Sequence, residues 1–139
     1  MPIKVLVIDD DTAMTDLLSL LLQTNKFIVF TANNGKDGIK LIRSVAPDIV
    51  LLDMMMPDMD GWQVCEEIRK FSDIPIVVLS ALNKPGLVAS ALDAGADDYL
   101  IKPVPSNILI AHIKNLTKHR NTGNLQLSTA SLGNKKAFS

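Results

Sequence analysis

Five short apolar runs alternate with helix-like stretches along the chain, and this alternation limits the possible folds more than any other feature. We predict strands at about residues 3–8, 27–31, 48–52, 75–79 and 98–101. The third run is almost continuously apolar, which is typical of a parallel strand covered on both faces. Strands that alternate with helices indicate βαβ units. The pattern therefore predicts an α/β fold with a doubly wound, five-stranded parallel sheet flanked by five helices.

Polar and glycine residues mark where the predicted helices begin and end. We expect helices to begin after Asp11, after Asn33-Asn34-Gly35, near Asp60-Gly61, near Pro85, and at Ser106, which would act as the cap. Gly95 suits the position just after the fourth helix. The fifth helix should end near His119, because Asn121-Thr122-Gly123-Asn124 follows. We therefore predict one domain over residues 1–120, with 121–139 as a linker or the truncated start of an output domain.

Composition and charge exclude several classes of protein. The 139 residues are 47% hydrophobic and 21% charged, which is typical of a globular domain. No stretch approaches the ~18 apolar residues of a membrane span, and the first apolar run is too short for a signal peptide. A single cysteine, Cys65, excludes an internal disulfide. These features predict a cytoplasmic protein that does not bind membranes.

The charges are distributed unevenly along the chain. Residues 1–113 hold nine basic and 15 acidic residues, a net charge of −6, whereas residues 114–139 carry +5. A negative body is a poor surface for nucleic acid, because phosphate contacts need cations. We therefore do not expect the 1–120 domain to bind DNA by itself.

Side chains of complementary chemistry follow four of the predicted strands. Asp9 and Asp10 follow the first strand, Asp53 the third, Ser80 the fourth and Lys102 the fifth. Ligands of open α/β sheets bind beyond the carboxyl ends of the strands. Carboxylates at this edge suit a divalent cation, and the hydroxyl and ammonium groups suit a phosphoryl group. The sequence therefore predicts a site for both.

The chemistry of these groups gives each a candidate role. Asp10 and Asp53 fit as direct ligands of Mg²⁺, or of Mn²⁺, and Asp9 fits as a partner acting through water. Lys102 would hold phosphoryl oxygens by its charge, and Ser80 would donate a hydrogen bond to another. Asp53 would be the nucleophile that becomes an aspartyl phosphate. By contrast, we predict that Asp11 caps a helix and that Met54, Met56 and Cys65 pack in the core.

Several motifs agree in order and spacing with a known family. They are Val7-Ile8-Asp9-Asp10, Leu52-Asp53 with Met56-Pro57 and Asp60-Gly61, Leu79-Ser80-Ala81, and Gly95-Ala96-Asp97-Asp98-Tyr99 with Lys102-Pro103. With these motifs the chain resembles, over about residues 3–120, the CheY-like receiver domain of two-component response regulators. The resemblance implies the sheet order 2-1-3-4-5.

The resemblance also implies an activity and the residues that perform it. A sensor histidine kinase or phosphotransfer protein would pass a phosphoryl group to Asp53 with Mg²⁺. Asp9, Asp10 and the backbone carbonyl of Met55 would join Asp53 at the metal, and Ser80 with Lys102 would bind the phosphoryl group. A cis peptide would join Lys102 to Pro103. Ser80 and Tyr99 would form the switch, which reshapes the face made by the fourth helix, last strand and fifth helix.

Some features resemble the OmpR/PhoB subfamily, whose members dimerise through that face. Members of that subfamily bind DNA through a C-terminal output domain, so the resemblance implies an output in transcription. We expect DNA to be bound only through such a domain, which is not part of this chain. Val88 and Ile108 stand where the subfamily's dimer contact has a charged pair. A homodimer of this chain would therefore have a more apolar contact.

Three alternatives remain open at this stage. The chain could be a stand-alone receiver that acts by protein–protein interaction, or a degenerate receiver that is only a binding surface. It could also be a Mg²⁺-dependent phosphohydrolase that forms an aspartyl phosphate. Haloacid-dehalogenase-like phosphatases have a second Asp two residues after the nucleophile, where this chain has Met55. That residue argues against the phosphohydrolase, so we predict a signalling switch and not an enzyme.

Overall fold

Strands and helices alternate five times, as the sequence predicts. The computed structural model describes residues 2–126, with side chains as far as Lys118. The strands are β1 (Lys4–Ile8), β2 (Ile28–Ala32), β3 (Ile49–Leu52), β4 (Ile76–Ser80) and β5 (Asp98–Ile101). The helices are α1 (Thr12–Thr24), α2 (Gly35–Val45), α3 (Gly61–Arg69), α4 (Pro85–Ala94) and α5 (Ser106–Gln126).

All strand pairs are parallel, and the strand order β2-β1-β3-β4-β5 is the order that the resemblance implies. In the register of β1 and β3, Ile8 pairs with Leu52. Asp9 and Asp53 come next along the two strands, and the Asp53 N–H donates to the Ile8 carbonyl at 2.9 Å. The register therefore brings the two aspartates out of the sheet side by side.

The three central strands form the core. Alternate residues of β1 point to opposite faces of the sheet, as the period of two requires. Leu6 and Ile8 pack in the cluster that includes α2 and α3, whereas Val5 and Val7 pack in the cluster that includes α1 and α5. Because β1, β3 and β4 are covered on both faces, the edge that they present to the site is rigid. Within the described residues, no helix is both long enough and apolar enough to cross a bilayer.

Side-chain caps begin the first three helices where the sequence predicts them. The Asp11 carboxylate accepts hydrogen bonds from the Ala13 and Met14 amides at 3.0 and 3.3 Å. Asn34 caps α2, and Asp60 forms a reciprocal capping box with Gln63 at the start of α3. These caps satisfy amides that have no partner within the helix.

Helix α5 differs from the prediction at both ends. Ser106 is its first residue and not its cap, and the carbonyl of the preceding Pro105 accepts from the Leu109 amide at 3.1 Å. The helix also continues through Asn121–Asn124 to Gln126, so the predicted end near His119 is wrong. A single glycine costs only ~1 kcal/mol in a helix, and extending an existing helix needs no new nucleation. Of the linker predicted for 121–139, residues 127–139 lie outside the described residues.

Gly61 is the glycine at which a side chain would most directly disturb the functional edge. An added Cβ would lie 2.7 Å from the Met54 Cα and 3.2 Å from the Asp53 carbonyl. Because the backbone would have to move, Gly61→Ala is expected to lower the free energy of unfolding by about 2 kcal/mol. Gly86→Ala is the matched control, since its Cβ would extend into open space. Urea titration should show that this control is unchanged or stabilised by up to ~1 kcal/mol; equal losses in both would contradict the prediction.

Candidate functional site

The acidic residues predicted from separate strands converge at one edge of the sheet. Asp9, Asp10 and Asp53 each offer a carboxylate oxygen, and these oxygens lie within 4.8 Å of one another. Asp9 and Asp53 are buried, with 4% and 9% exposed, while Asp10 is exposed. Strands β1 and β3 hold the group together, because the residues that lead into the aspartates are buried in both strands.

Lys102 reaches this acidic cluster from the end of β5. Its Nζ lies 3.2 Å from Asp9 Oδ2 and 3.6 Å from Asp53 Oδ1. The Lys102 amide donates to the Ser80 carbonyl at 2.9 Å, which ties the ends of β4 and β5 together. The Lys102–Pro103 peptide is cis, as the resemblance implies. The structure therefore places a cation beside two of the three carboxylates.

The environment of Asp53 raises its pKa above the ordinary 3.8. Burial is the largest cause, because the charged form loses hydration. Lys102 acts in the opposite direction, and so does a hydrogen bond from the Met55 backbone, while the charges of Asp9 and Asp10 raise the pKa further. The net result is that the ionised Asp53 is held in an unfavourable site when only protein groups surround it.

This pKa shift predicts how stability depends on pH in the absence of divalent cations. The folded state binds the Asp53 proton more tightly than the unfolded state does. The free energy of unfolding therefore falls as pH rises through 3.8 toward the raised pKa, and stays at the lower value above it. Asp53→Asn removes the charge, so we expect its melting temperature in EDTA at neutral pH to exceed that of the parent by at least about 3 °C.

The matched control for that experiment is Asp11→Asn. This variant also removes one negative charge near the edge of the sheet, and asparagine caps a helix as well as aspartate does. Its melting temperature should stay close to that of the parent, and the advantage of Asp53→Asn should shrink toward acid pH. An Asp53→Asn protein that melts below the parent at neutral pH would contradict the assignment of a strained carboxylate.

The loop after β3 carries the three consecutive methionines. Met54 and Met56 are buried and pack in the core, as predicted, whereas the Met55 side chain is 59% exposed. The Met55 backbone hydrogen-bonds the Asp53 carboxylate, so this part of the main chain adjoins the cluster. Cys65 is also buried, and burial raises the pKa of its thiol to about 11, which confirms that it is a core residue.

Ser80 and Tyr99 are linked through the backbone of Leu82. The Ser80 Oγ accepts a hydrogen bond from the Leu82 amide at 3.1 Å. The Tyr99 hydroxyl donates to the carbonyl of the same residue at 2.8 Å. Both hydroxyl groups therefore hold the main chain of the β4–α4 loop. Because the link uses only the amide and carbonyl of Leu82, no side-chain pattern could have predicted it.

The donor set fits a small divalent cation. Carboxylate and carbonyl oxygens are the ligands that Mg²⁺ prefers. Two like charges ~4 Å apart repel by about 4 kcal/mol at an effective dielectric constant of 20, and a cation offsets that repulsion. Burial is the main cause of the raised pKa of Asp53, and repulsion from Asp9 and Asp10 raises it further. The residues present are therefore suited to binding Mg²⁺ next to the Asp53 oxygen.

Two curated relatives are transcriptional regulators by name. The probable transcriptional regulator ycf27 of Guillardia theta is 40% identical over 118 residues, which cover 85% of this chain and 46% of the relative. The transcriptional regulatory protein AfsQ1 of Streptomyces coelicolor is 43% identical over 111 residues, covering 80% and 49%. The chain thus spans about half the length of these relatives.

Solved structures and a family model agree with the fold. A two-component response regulator from Clostridium difficile has 34% identity and a TM-score of 0.82, covering 86% of this chain and 98% of that one. The BeF3-activated N-terminal receiver domain of RstA from Klebsiella pneumoniae has 30% identity and a TM-score of 0.79, covering 82% and 97%. The family model of the response regulator receiver domain matches residues 5–114. The chain therefore belongs to the response regulator receiver domain family.

Proposed function

We propose that this receiver domain is a Mg²⁺-dependent switch that accepts a phosphoryl group on Asp53 from a sensor histidine kinase or a phosphotransfer protein. The observation that carries the proposal is the convergence of Asp9, Asp10 and Asp53 beside Lys102. We also propose that the protein is cytoplasmic, as predicted from its sequence.

Asp53 supplies the nucleophile in this proposal. One of its carboxylate oxygens forms a bond to phosphorus while the bond from phosphorus to the donor breaks, and the donor keeps that electron pair. The Lys102 ammonium group, 3.6 Å from Asp53 Oδ1, would contact the incoming phosphoryl oxygens and balance their charge. Asp53 is mostly buried at the end of β3, so the phosphoryl donor would have to approach its carboxylate from beyond the end of that strand.

Asp9, Asp10, Asp53 and the Met55 carbonyl would hold the Mg²⁺ ion, and Mn²⁺ is the alternative. When bound, the cation neutralises charge on the phosphoryl group. Asp9 has a second partner in Lys102, at 3.2 Å, which fixes the direction of its carboxylate. The protein residues therefore orient the site, and Lys102 and the cation would both balance charge on the phosphoryl group.

Ser80 and Tyr99 would pass the change to the face formed by α4, β5 and α5. If the Ser80 side chain turned toward a phosphoryl oxygen, it would leave the Leu82 amide and remove one of the two bonds that hold this loop, the other being the bond from Tyr99. That face exposes Leu92, Ile101 and Ile108, each about two-fifths accessible. We propose that it contacts a second copy of the chain or an output domain, and that DNA is bound only through such a domain.

Incubation of the purified chain with acetyl phosphate and Mg²⁺ tests the proposal. We expect mass spectrometry to show a gain of one phosphoryl group, localised to Asp53 after borohydride trapping and proteolysis. Phosphate release should be slow and should follow the decay of that labelled species. Sustained multiple turnover would indicate a phosphohydrolase instead, and no mass change would indicate a receiver that acts only as a binding surface.

A further inference from the structure

The carboxylate of Asp58 lies against the N-terminus of α2, 23 residues away in sequence. Its oxygens accept hydrogen bonds from the Gly35 amide at 3.2 and 3.1 Å and from the Lys36 amide at 3.4 Å. Asp58 belongs to the loop between β3 and α3, which also contains Met55. One charged side chain therefore fastens this loop to a different helix.

The bonds from Asp58 complete the hydrogen bonding at the start of α2. The Asp37 amide is bonded by the Asn34 side chain at 2.8 Å, and the Gly38 amide by the Asn34 carbonyl at 3.1 Å. Gly35 and Lys36, like Asp37, belong to the first turn, where an amide has no carbonyl partner within the helix. The helix dipole also favours a negative charge at this end. The contact is therefore favourable for both the loop and the helix.

The loop packs closely on α2 around the same point. An added Cβ on Gly35 would lie 3.1 Å from Met59 Cβ, so the Met59 side chain of the loop packs on the helix at a residue that has no side chain. At its far end the loop is held by the bond from the Gly61 amide to the Met54 carbonyl at 2.9 Å. The segment between Met54 and Asp58 is thus fixed at both ends, and Met55 lies within it.

We infer that Asp58 is a positioning residue for the metal site, because its bonds to the start of α2 hold the loop that places the Met55 backbone next to Asp53. Asp58 does not contact the metal in this inference. The inference rests on the proposed function, since it concerns the Mg²⁺ affinity of the same site. It assigns to Asp58 a role beyond that of an ordinary turn residue.

Titration calorimetry with MgCl2 on the whole chain tests the inference. Asp58→Ala is expected to bind Mg²⁺ about tenfold more weakly than the parent, at the lower end of the range for lost supporting contacts at metal sites. At saturating Mg²⁺ its labelling by acetyl phosphate should reach the parental yield. Asp58→Asn keeps an acceptor for the two amides and removes the charge, so its Mg²⁺ affinity should stay within about twofold of the parent.

Asn34→Ala is the control for an effect on helix stability alone. It removes a cap from the same end of α2 without touching the loop, so it should lower the melting temperature while Mg²⁺ affinity stays parental. Equal weakening by Asn34→Ala and Asp58→Ala, parental affinity in Asp58→Ala, or weakening by Asp58→Asn as large as by Asp58→Ala would each overturn the inference. A parent chain that bound no Mg²⁺ would instead refute the proposed function on which it rests.

Discussion

Asp53→Asn is expected to lower the initial rate of labelling by acetyl phosphate at least about 100-fold, the largest effect of any single change in this chain. The side chain keeps its size and its place at the end of β3, so the fold should be retained. An amide, however, has no anionic oxygen with which to attack phosphorus. Intact-mass spectrometry at fixed Mg²⁺ and acetyl phosphate measures the difference.

Asp11→Asn is the control for this experiment as well. Its carboxylate lies near the same edge of the sheet, but it bonds the first amides of α1, and asparagine can do the same. This variant should be labelled at the parental rate. Full labelling of Asp53→Asn would place the modification elsewhere and remove the basis of the proposed mechanism.

Asp10→Asn should have the second-largest effect, a loss of at least about tenfold in Mg²⁺ affinity. Asp10 is the exposed member of the acidic cluster, and replacing it removes an anionic oxygen that Mg²⁺ prefers over an amide. In EDTA the same change should raise the melting temperature slightly, because it removes repulsion toward Asp53. A variant that binds Mg²⁺ more weakly but melts at a higher temperature in EDTA identifies Asp10 as a ligand. A residue that only supports the fold would not show both effects.

Calorimetry with MgCl2 and thermal melts in Mg²⁺ and in EDTA measure both effects of Asp10→Asn. The stabilisation that Mg²⁺ provides depends on its concentration relative to the dissociation constant, so the two methods check each other. Comparable weakening by Asp11→Asn would show that Mg²⁺ is attracted by the general negative charge of this edge and not by a defined set of ligands.

The sheet and the acidic cluster could be predicted from sequence because both depend on strands. Apolar runs mark β1, β3 and β4, and parallel strands bring their carboxyl ends to one edge. Asp9 and Asp53 therefore had to lie at the same edge, and the strand order implied by the resemblance makes β1 and β3 neighbours. The caps Asp11, Asn34 and Asp60 were also predictable, since each acts on amides within a few residues of itself.

The features that sequence analysis missed depend on contacts between distant segments or on main-chain atoms. Asp58 stands in a proline-containing loop, where an aspartate usually indicates a turn, and its bond to Gly35 spans 23 residues. Leu82 connects Ser80 to Tyr99 through its amide and carbonyl alone. The end of α5 was misplaced because local propensity for Asn121–Asn124 was weighed without the stability of a helix already formed.

The connection through Leu82 has a consequence for how this position can vary. Every amino acid except proline carries both an N–H and a carbonyl, so almost any substitution would preserve the two hydrogen bonds. The two bonds therefore place no demand on the side chain at 82, which packs instead against the core cluster on the α2 and α3 face of the sheet. Proline alone would sever the path between the two hydroxyl groups, since it has no amide hydrogen to give to Ser80.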